Sequence, residues 1–139
     1  MIELRNLTRR FGEVTAVDHL DLTVEPGELF VFLGPNGAGK TTTIKLITGL
    51  LRPDEGSVTV CGHNIQEEPL AARSLLSYVP DQPFLYEKLT GREFLTFVAN
   101  MYGMEAADIR DGIGQLSERF EMGGFLDEAG ESYSHGIDR

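Results

Sequence analysis

The chain has 139 residues, 22 acidic and 12 basic, for a formal net charge of −10 and a sequence pI near 4.6. That length holds one domain with one core, and 41% hydrophobic with 24% charged residues is the make-up of a folded globular protein. The acid excess argues against a nucleic-acid partner, because phosphate-backbone affinity comes from Lys and Arg, while the single cysteine, Cys61, excludes an internal disulfide and a thiolate cage and fits a reducing cytosol.

The start shows no basic region followed by an apolar stretch, so secretion is not indicated. Ile2 and Leu4 alternate with polar neighbours, as do Leu20, Leu22 and Val24, the period of half-buried strands. Phe11-Gly12 and Pro26-Gly27 punctuate them as turns. Leu29 to Leu33 is an apolar run without alternation, the pattern of a strand buried on both faces. It is also the longest such run, and too short to cross a bilayer.

Gly34-Pro35-Asn36-Gly37-Ala38-Gly39-Lys40-Thr41 satisfies the phosphate-loop pattern of a glycine, four residues, then Gly-Lys-Thr. Glycines let successive N–H groups turn inward on an anion, and Lys40 adds a point charge for the β and γ phosphates. Thr41 offers a hydroxyl to Mg²⁺, and the helix starting here aims its positive end at the phosphates. Ile44, Ile47, Leu50 and Leu51 give that helix its apolar spacing over Thr41 to Leu51. Strand, glycine loop and helix open a βα unit, and the motif points to a purine nucleoside triphosphate with Mg²⁺.

Arg52-Pro53-Asp54-Glu55-Gly56 reads as a turn, Ser57 to Cys61 as a short strand, Leu70 to Leu76 as a helix and Ser77-Tyr78-Val79 as a strand stopped by Pro80. The period then changes. Phe94, Phe97, Val98, Met101 and Tyr102 share a helical face behind a Thr90 N-cap with Glu93 in the capping-box position. Ile109, Ile113, Leu116 and Phe120 form a second stripe, weakened by Gly112 and Gly114. Residues 1–100 carry 13 acids and 9 bases, and residues 101–139 carry 9 and 3, so the acid excess concentrates in this helical part as a solvated surface. His19, His63 and His135 show no ligand spacing.

Several stretches around the loop resemble the ATP-binding subunit of ABC transporters, from Ile2 to about Ile137. They are Leu7 to Gly12, Val17 to Leu22, Ile44 to Gly56 and Tyr78-Val79-Pro80. Thr90 to Leu95 and Tyr133-Ser134-His135-Gly136 are similar to the branch that works with ABC-2-type permeases. The resemblance implies an α/β, P-loop NTPase fold of the ABC ATPase type, a mixed sheet plus a helical subdomain. It implies an ATP-binding core at 1–89 and a helical subdomain at 90–139. ATP and Mg²⁺ are the implied cofactors. The implied partners are a transmembrane permease, with no membrane span in the subunit itself, and a second ATP-binding subunit; the implied location is cytoplasmic, peripheral to the membrane.

Carried over by residue, Phe11 stacks on adenine. Gly34, Pro35, Asn36, Gly37, Ala38, Gly39, Lys40 and Thr41 form the cradle, and Thr42 contacts the α phosphate. The family places a glutamine directly after Tyr-Val-Pro, whereas this sequence has Asp81 there and Gln82 one later. Either Asp81 takes the metal and water role or the loop shifts and Gln82 does, as a metal ligand beside Thr41. Tyr133 to Ile137 matches the signature position, where Ser134 and Gly136 would touch the γ phosphate of a partner subunit's ATP.

Hydrolysis in the family also uses an Asp, a Glu and a His that follow the signature, and only Asp138 and Arg139 follow it here. Phe125-Leu126-Asp127-Glu128 mimics the tail of the acidic motif. Only two apolar residues precede its acids and Gly123-Gly124 breaks any strand, so it reads as an exposed helical turn. The expectation is therefore a C-terminally truncated ATPase subunit, inactive in hydrolysis by itself and marginally stable, because Leu29 to Leu33 would lack sheet neighbours. Two alternatives stand beside it. One is a non-catalytic module that binds nucleotide or permease; the other, a small P-loop kinase, leaves Phe11 and Thr90 to Leu95 unexplained.

Overall fold

The computed structural model describes residues 1–80, 86 and 88–130. The chain divides into two compact units, Met1–Val79 and Pro80–Arg139.

In the first unit β1 (Ile2–Phe11) turns through Gly12 into β2 (Val14–Val24), and β3 (Glu55–Val60) and β4 (His63–Asn64) complete a sheet of order β2-β1-β3-β4. Every ladder among the described residues is antiparallel. The strands expected around Leu4 and Leu22 are present, but β1 does not alternate strictly. Leu4, Leu7 and Thr8 are all buried, which a plain strand of period two does not allow. The register slips on both sides of this stretch, where Asn6 takes a φ of 49° and donates its N–H to Asp21 Oδ1 at 2.7 Å. Such a bulge shifts the phase of the strand and turns Leu7 inward. Gly56 lies across from it, where a Cβ would stand 2.3 Å from the Arg5 and Asn6 carbonyl oxygens.

Helix α1 (Lys40–Ile47) packs its buried Leu46 on this sheet with Leu4, Leu7, Val17, Val58 and Val60. It ends about one turn earlier than the spacing to Leu51 predicts, before a glycine, Gly49, with φ 69°. The short α2 (Pro69–Ser74) adds Ala72 to the core and begins with proline at its first turn.

Two expected strands are corrected. Leu29 to Leu33 belongs to no ladder among the described residues, and Leu29, Val31 and Leu33 are 92%, 61% and 88% exposed. Apolar character without a lateral partner does not make a strand, since its backbone groups need a neighbouring chain to pair with. Ser77 to Val79 likewise pairs with no strand among the described residues, and Val79 is exposed.

In the second unit α3 (Gly91–Met101) starts at the expected capping box: Thr90 Oγ1 accepts from the Glu93 N–H at 3.2 Å and Glu93 Oε2 accepts from the Thr90 N–H at 2.8 Å. Helix α4 (Ala106–Arg119) runs unbroken through Gly112 and Gly114 and buries Ile109 and Ile113 around Leu126. The face of α3 that packs here is Leu95 and Ala99. The stripe read from the sequence is different: Phe97, Met101 and Tyr102 are exposed, and Tyr86 packs edge-on against Phe97 with centroids 5.9 Å apart. Leu116 and Phe120 also stay exposed. The segment read as an exposed helical turn is a turn, yet Leu126 is buried, and Asp127 accepts two hydrogen bonds from Arg92, at 2.7 and 3.1 Å. These contacts hold the start of α3 against the chain that follows α4.

Candidate functional site

The loop from Gly34 to Gly39 leads directly into α1, which begins at Lys40. Gly37 and Gly39 adopt φ values of 85° and 82°, the left-handed region that side chains disfavour. At Gly39 the need is steric as well, because a Cβ would stand 2.2 Å from the Ala16 carbonyl oxygen of β2. The sheet therefore sets where the loop turns. Gly39 is the N-cap, no side chain caps the helix, and no acidic residue stands in its first turn. The first-turn N–H groups, which have no acceptor within a helix, are left to an external anion.

Lys40 completes the cradle. Its Nζ donates to the carbonyl oxygens of Gly34 and Pro35, both at 2.7 Å, folding the side chain back over the loop. The ammonium is thereby held beside the N–H groups, with a third donor position still to offer. The Ala38 N–H closes the turn on the Pro35 carbonyl at 3.3 Å. Asn36, Ala38 and Thr41 are exposed on this surface, and Thr42 is half-buried. One residue further, Thr43 is buried and its hydroxyl donates back to the Gly39 carbonyl at 2.9 Å, anchoring the first turn from inside. A pocket of about 240 Å³ opens between the loop and β2, lined by Val17, Asp18, Phe32, Ala38, Lys40 and Thr43.

Phe11 ends β1 and pairs with Val14 of β2. Val14 is two residues from Ala16, the contact of Gly39, a separation of about 7 Å along a strand. Phe11 is 46% exposed, and the Arg9 guanidinium lies over its ring, 4.8 Å from the centroid. Phe11 and Gly39 thus meet nearby residues of the same strand, Val14 and Ala16. Asp81, Gln82, Ser134 and Gly136 lie outside the described residues. Ala16 and Arg9 are site neighbours that local spacing does not disclose, since each acts through a strand pairing or a cross-strand approach.

A triphosphate with its metal ion fits what is present: left-handed glycine dihedrals in the loop, an uncapped helix start, a lysine over the loop and the Thr41 hydroxyl at the first turn. Among the described residues no group of histidine, cysteine and carboxylate side chains is arranged to hold a metal by itself. A metal here would be held jointly by Thr41 and the phosphates, the usual arrangement for Mg²⁺.

Residues 17–139 match the family described as ABC transporter. The chain is 39% identical over 122 residues to the probable multidrug ABC transporter ATP-binding protein YbhF of Escherichia coli, covering 88% of this chain and 21% of that protein. It is 38% identical over 138 residues to the daunorubicin/doxorubicin resistance ATP-binding protein DrrA of Streptomyces peucetius, covering 99% of this chain and 42% of that one. A solved structure of an ATP-binding subunit of an ABC transporter superposes with a TM-score of 0.83 at 31% identity, over 93% of this chain and 54% of its own. The chain thus spans about half or less of the proteins it resembles.

Proposed function

The chain belongs to the ABC transporter family, and on that premise we propose that it binds ATP with Mg²⁺ as the ATP-binding part of a transporter, in the cytoplasm against a membrane permease. The observation that carries the reading is the cradle itself: Gly39 wedged on Ala16, an uncapped helix start and Lys40 folded over the loop. Gly34, Pro35, Asn36, Gly37, Ala38 and Gly39 wrap the phosphates, Lys40 neutralises their charge, Thr42 contacts the α phosphate, and Thr41 is the protein's ligand to Mg²⁺. Phe11 offers its free ring face to the purine, a stack worth about 1–3 kcal/mol in nucleic-acid systems.

Mg²⁺, when bound, neutralises charge on the phosphate oxygens. The protein's share is positioning and charge compensation, which is what phosphoryl transfer asks of a site. Gln82 or Asp81 is assigned to the metal and water position, and Ser134 and Gly136 to the ATP of a second ATP-binding subunit. Residues 1–89 form the ATP-binding core and 90–139 a helical subdomain. For residues 1–139 by themselves the proposal is nucleotide binding. Among the described residues no helix is long and apolar enough to cross a membrane.

The test is calorimetric titration of the chain with Mg·ATP, beside Lys40→Ala. The reading expects saturable binding that Lys40→Ala weakens about tenfold or more, since charge-assisted contacts are the strong ones. Equal affinity in the two proteins contradicts it.

A further inference from the structure

Asp54 lies in the turn before β3, far from the phosphate loop in sequence, yet it grips three consecutive residues of β1. Its N–H donates to the Thr8 carbonyl at 2.9 Å. One carboxylate oxygen accepts from the Arg10 backbone N–H at 2.6 Å, and the other accepts from Arg9 Nη1 at 2.9 Å. The next residue is Phe11. Arg9 and Phe11, two apart on one strand, project on the same side, and the guanidinium that Asp54 holds is the one lying over the Phe11 ring.

This is more than a loose surface pair. The Arg9 side chain is 24% exposed, and its Nε is buried with no hydrogen-bond partner among the described residues. Asp54 is the anion that offsets this charge. Without it, the guanidinium gains by leaving the ring for water.

We propose that Asp54 is a positioning residue for base recognition, fixing Arg9 across one face of Phe11 so that the other face is presented to a purine. The proposal rests on the reading of Phe11 as the base-stacking residue. A cation over one face also limits how the ring can rotate, which makes the stack preorganised rather than induced. The adjacent Arg10–Glu55 ion pair, at 2.8 Å, ties the same strand end independently, so the sheet keeps an anchor when Asp54 is replaced.

The experiment titrates the chain with Mg·ATP and with magnesium tripolyphosphate, which has the phosphates but no base. Wild type is compared with Asp54→Asn, Arg9→Gln, the double variant and Phe11→Ala, each checked by thermal melting. Asp54→Asn and Arg9→Gln are each expected to weaken ATP about three- to tenfold, and the double variant no more than either alone, because they break one linkage. Tripolyphosphate affinity stays at the wild-type value. The proposal is overturned if Asp54→Asn binds ATP as wild type does while Phe11→Ala does not, or if it loses ATP and tripolyphosphate equally, as a merely structural residue would. Wild type that binds neither ligand overturns the nucleotide reading itself, and wild type that Phe11→Ala leaves unchanged removes Phe11 from base recognition; the inference falls with either.

Discussion

Gly39 presses its backbone so closely on β2 that a Cβ there would stand 2.2 Å from the Ala16 carbonyl oxygen, at a φ of 82° that side chains avoid. Loop shape and helix start both depend on that contact. Gly39→Ala should be destabilised by roughly 1–3 kcal/mol and lose Mg·ATP binding, measured by thermal melting and titration. An alanine variant that melts with wild type would show that the loop does not lean on the sheet.

Leu46 carries α1 onto the sheet and has no solvent exposure. Leu46→Ala removes a side chain from a packed core and should cost about 2–5 kcal/mol. Leu50, beyond the helix and 60% exposed, is the control: its alanine variant should stay within about 0.5 kcal/mol of wild type. Urea unfolding of the two variants decides it, and similar losses would argue that the helix ends later than Ile47.

The hydrogen bond from Arg92 holds the Asp127 carboxyl below its ordinary 3.8, with the Arg92 charge acting the same way and desolvation against both. A carboxylate with a lowered folded value contributes stability above its unfolded value and loses it as pH falls through the folded one. The helical unit should therefore weaken as pH drops below about 4, and Asp127→Asn should remove that part of the pH dependence. Both side chains are largely exposed, so the effect is modest and fades with salt. Urea midpoints at neutral pH and at pH near 3 provide the comparison; an unchanged difference between variant and wild type would dismiss the linkage.

Leu29, Val31 and Leu33 are exposed and belong to no ladder among the described residues, an apolar strip that favours association. Sedimentation velocity should find the 139-residue chain self-associating at micromolar concentration, and Leu29→Lys with Leu33→Lys shifting it toward monomer. A wild-type chain that stays monomeric would refute this.

The phosphate loop was legible because its chemistry is local: glycine dihedrals, a lysine and a helix start are all written in eight consecutive residues. The Thr90 capping box was legible for the same reason, its two hydrogen bonds spanning three residues. What escaped local reading depends on distant partners. The bulge that turns Leu7 inward involves Asn6 with Asp21, and Gly56 opposite Asn6. Asp54 reads as a turn former until its carboxylate is seen on Arg9 and Arg10. On α3 the apolar residues are numerous enough to suggest a face, but Leu95 and Ala99 pack on α4 while Phe97 and Met101 do not. Hydrophobicity names candidates for burial; the neighbouring helix chooses among them.

Backbone amide shifts of the nitrogen-labelled chain during titration with Mg·ATP test the central claim most directly, because they report the cradle residue by residue. The account predicts that the amides of Gly37, Gly39, Lys40 and Thr41 move most, with Phe11 responding to ATP but not to tripolyphosphate, and that Lys40→Ala suppresses these shifts. Saturating ATP that leaves the amides from Gly37 to Thr41 in place, or that moves residues elsewhere instead, would contradict it.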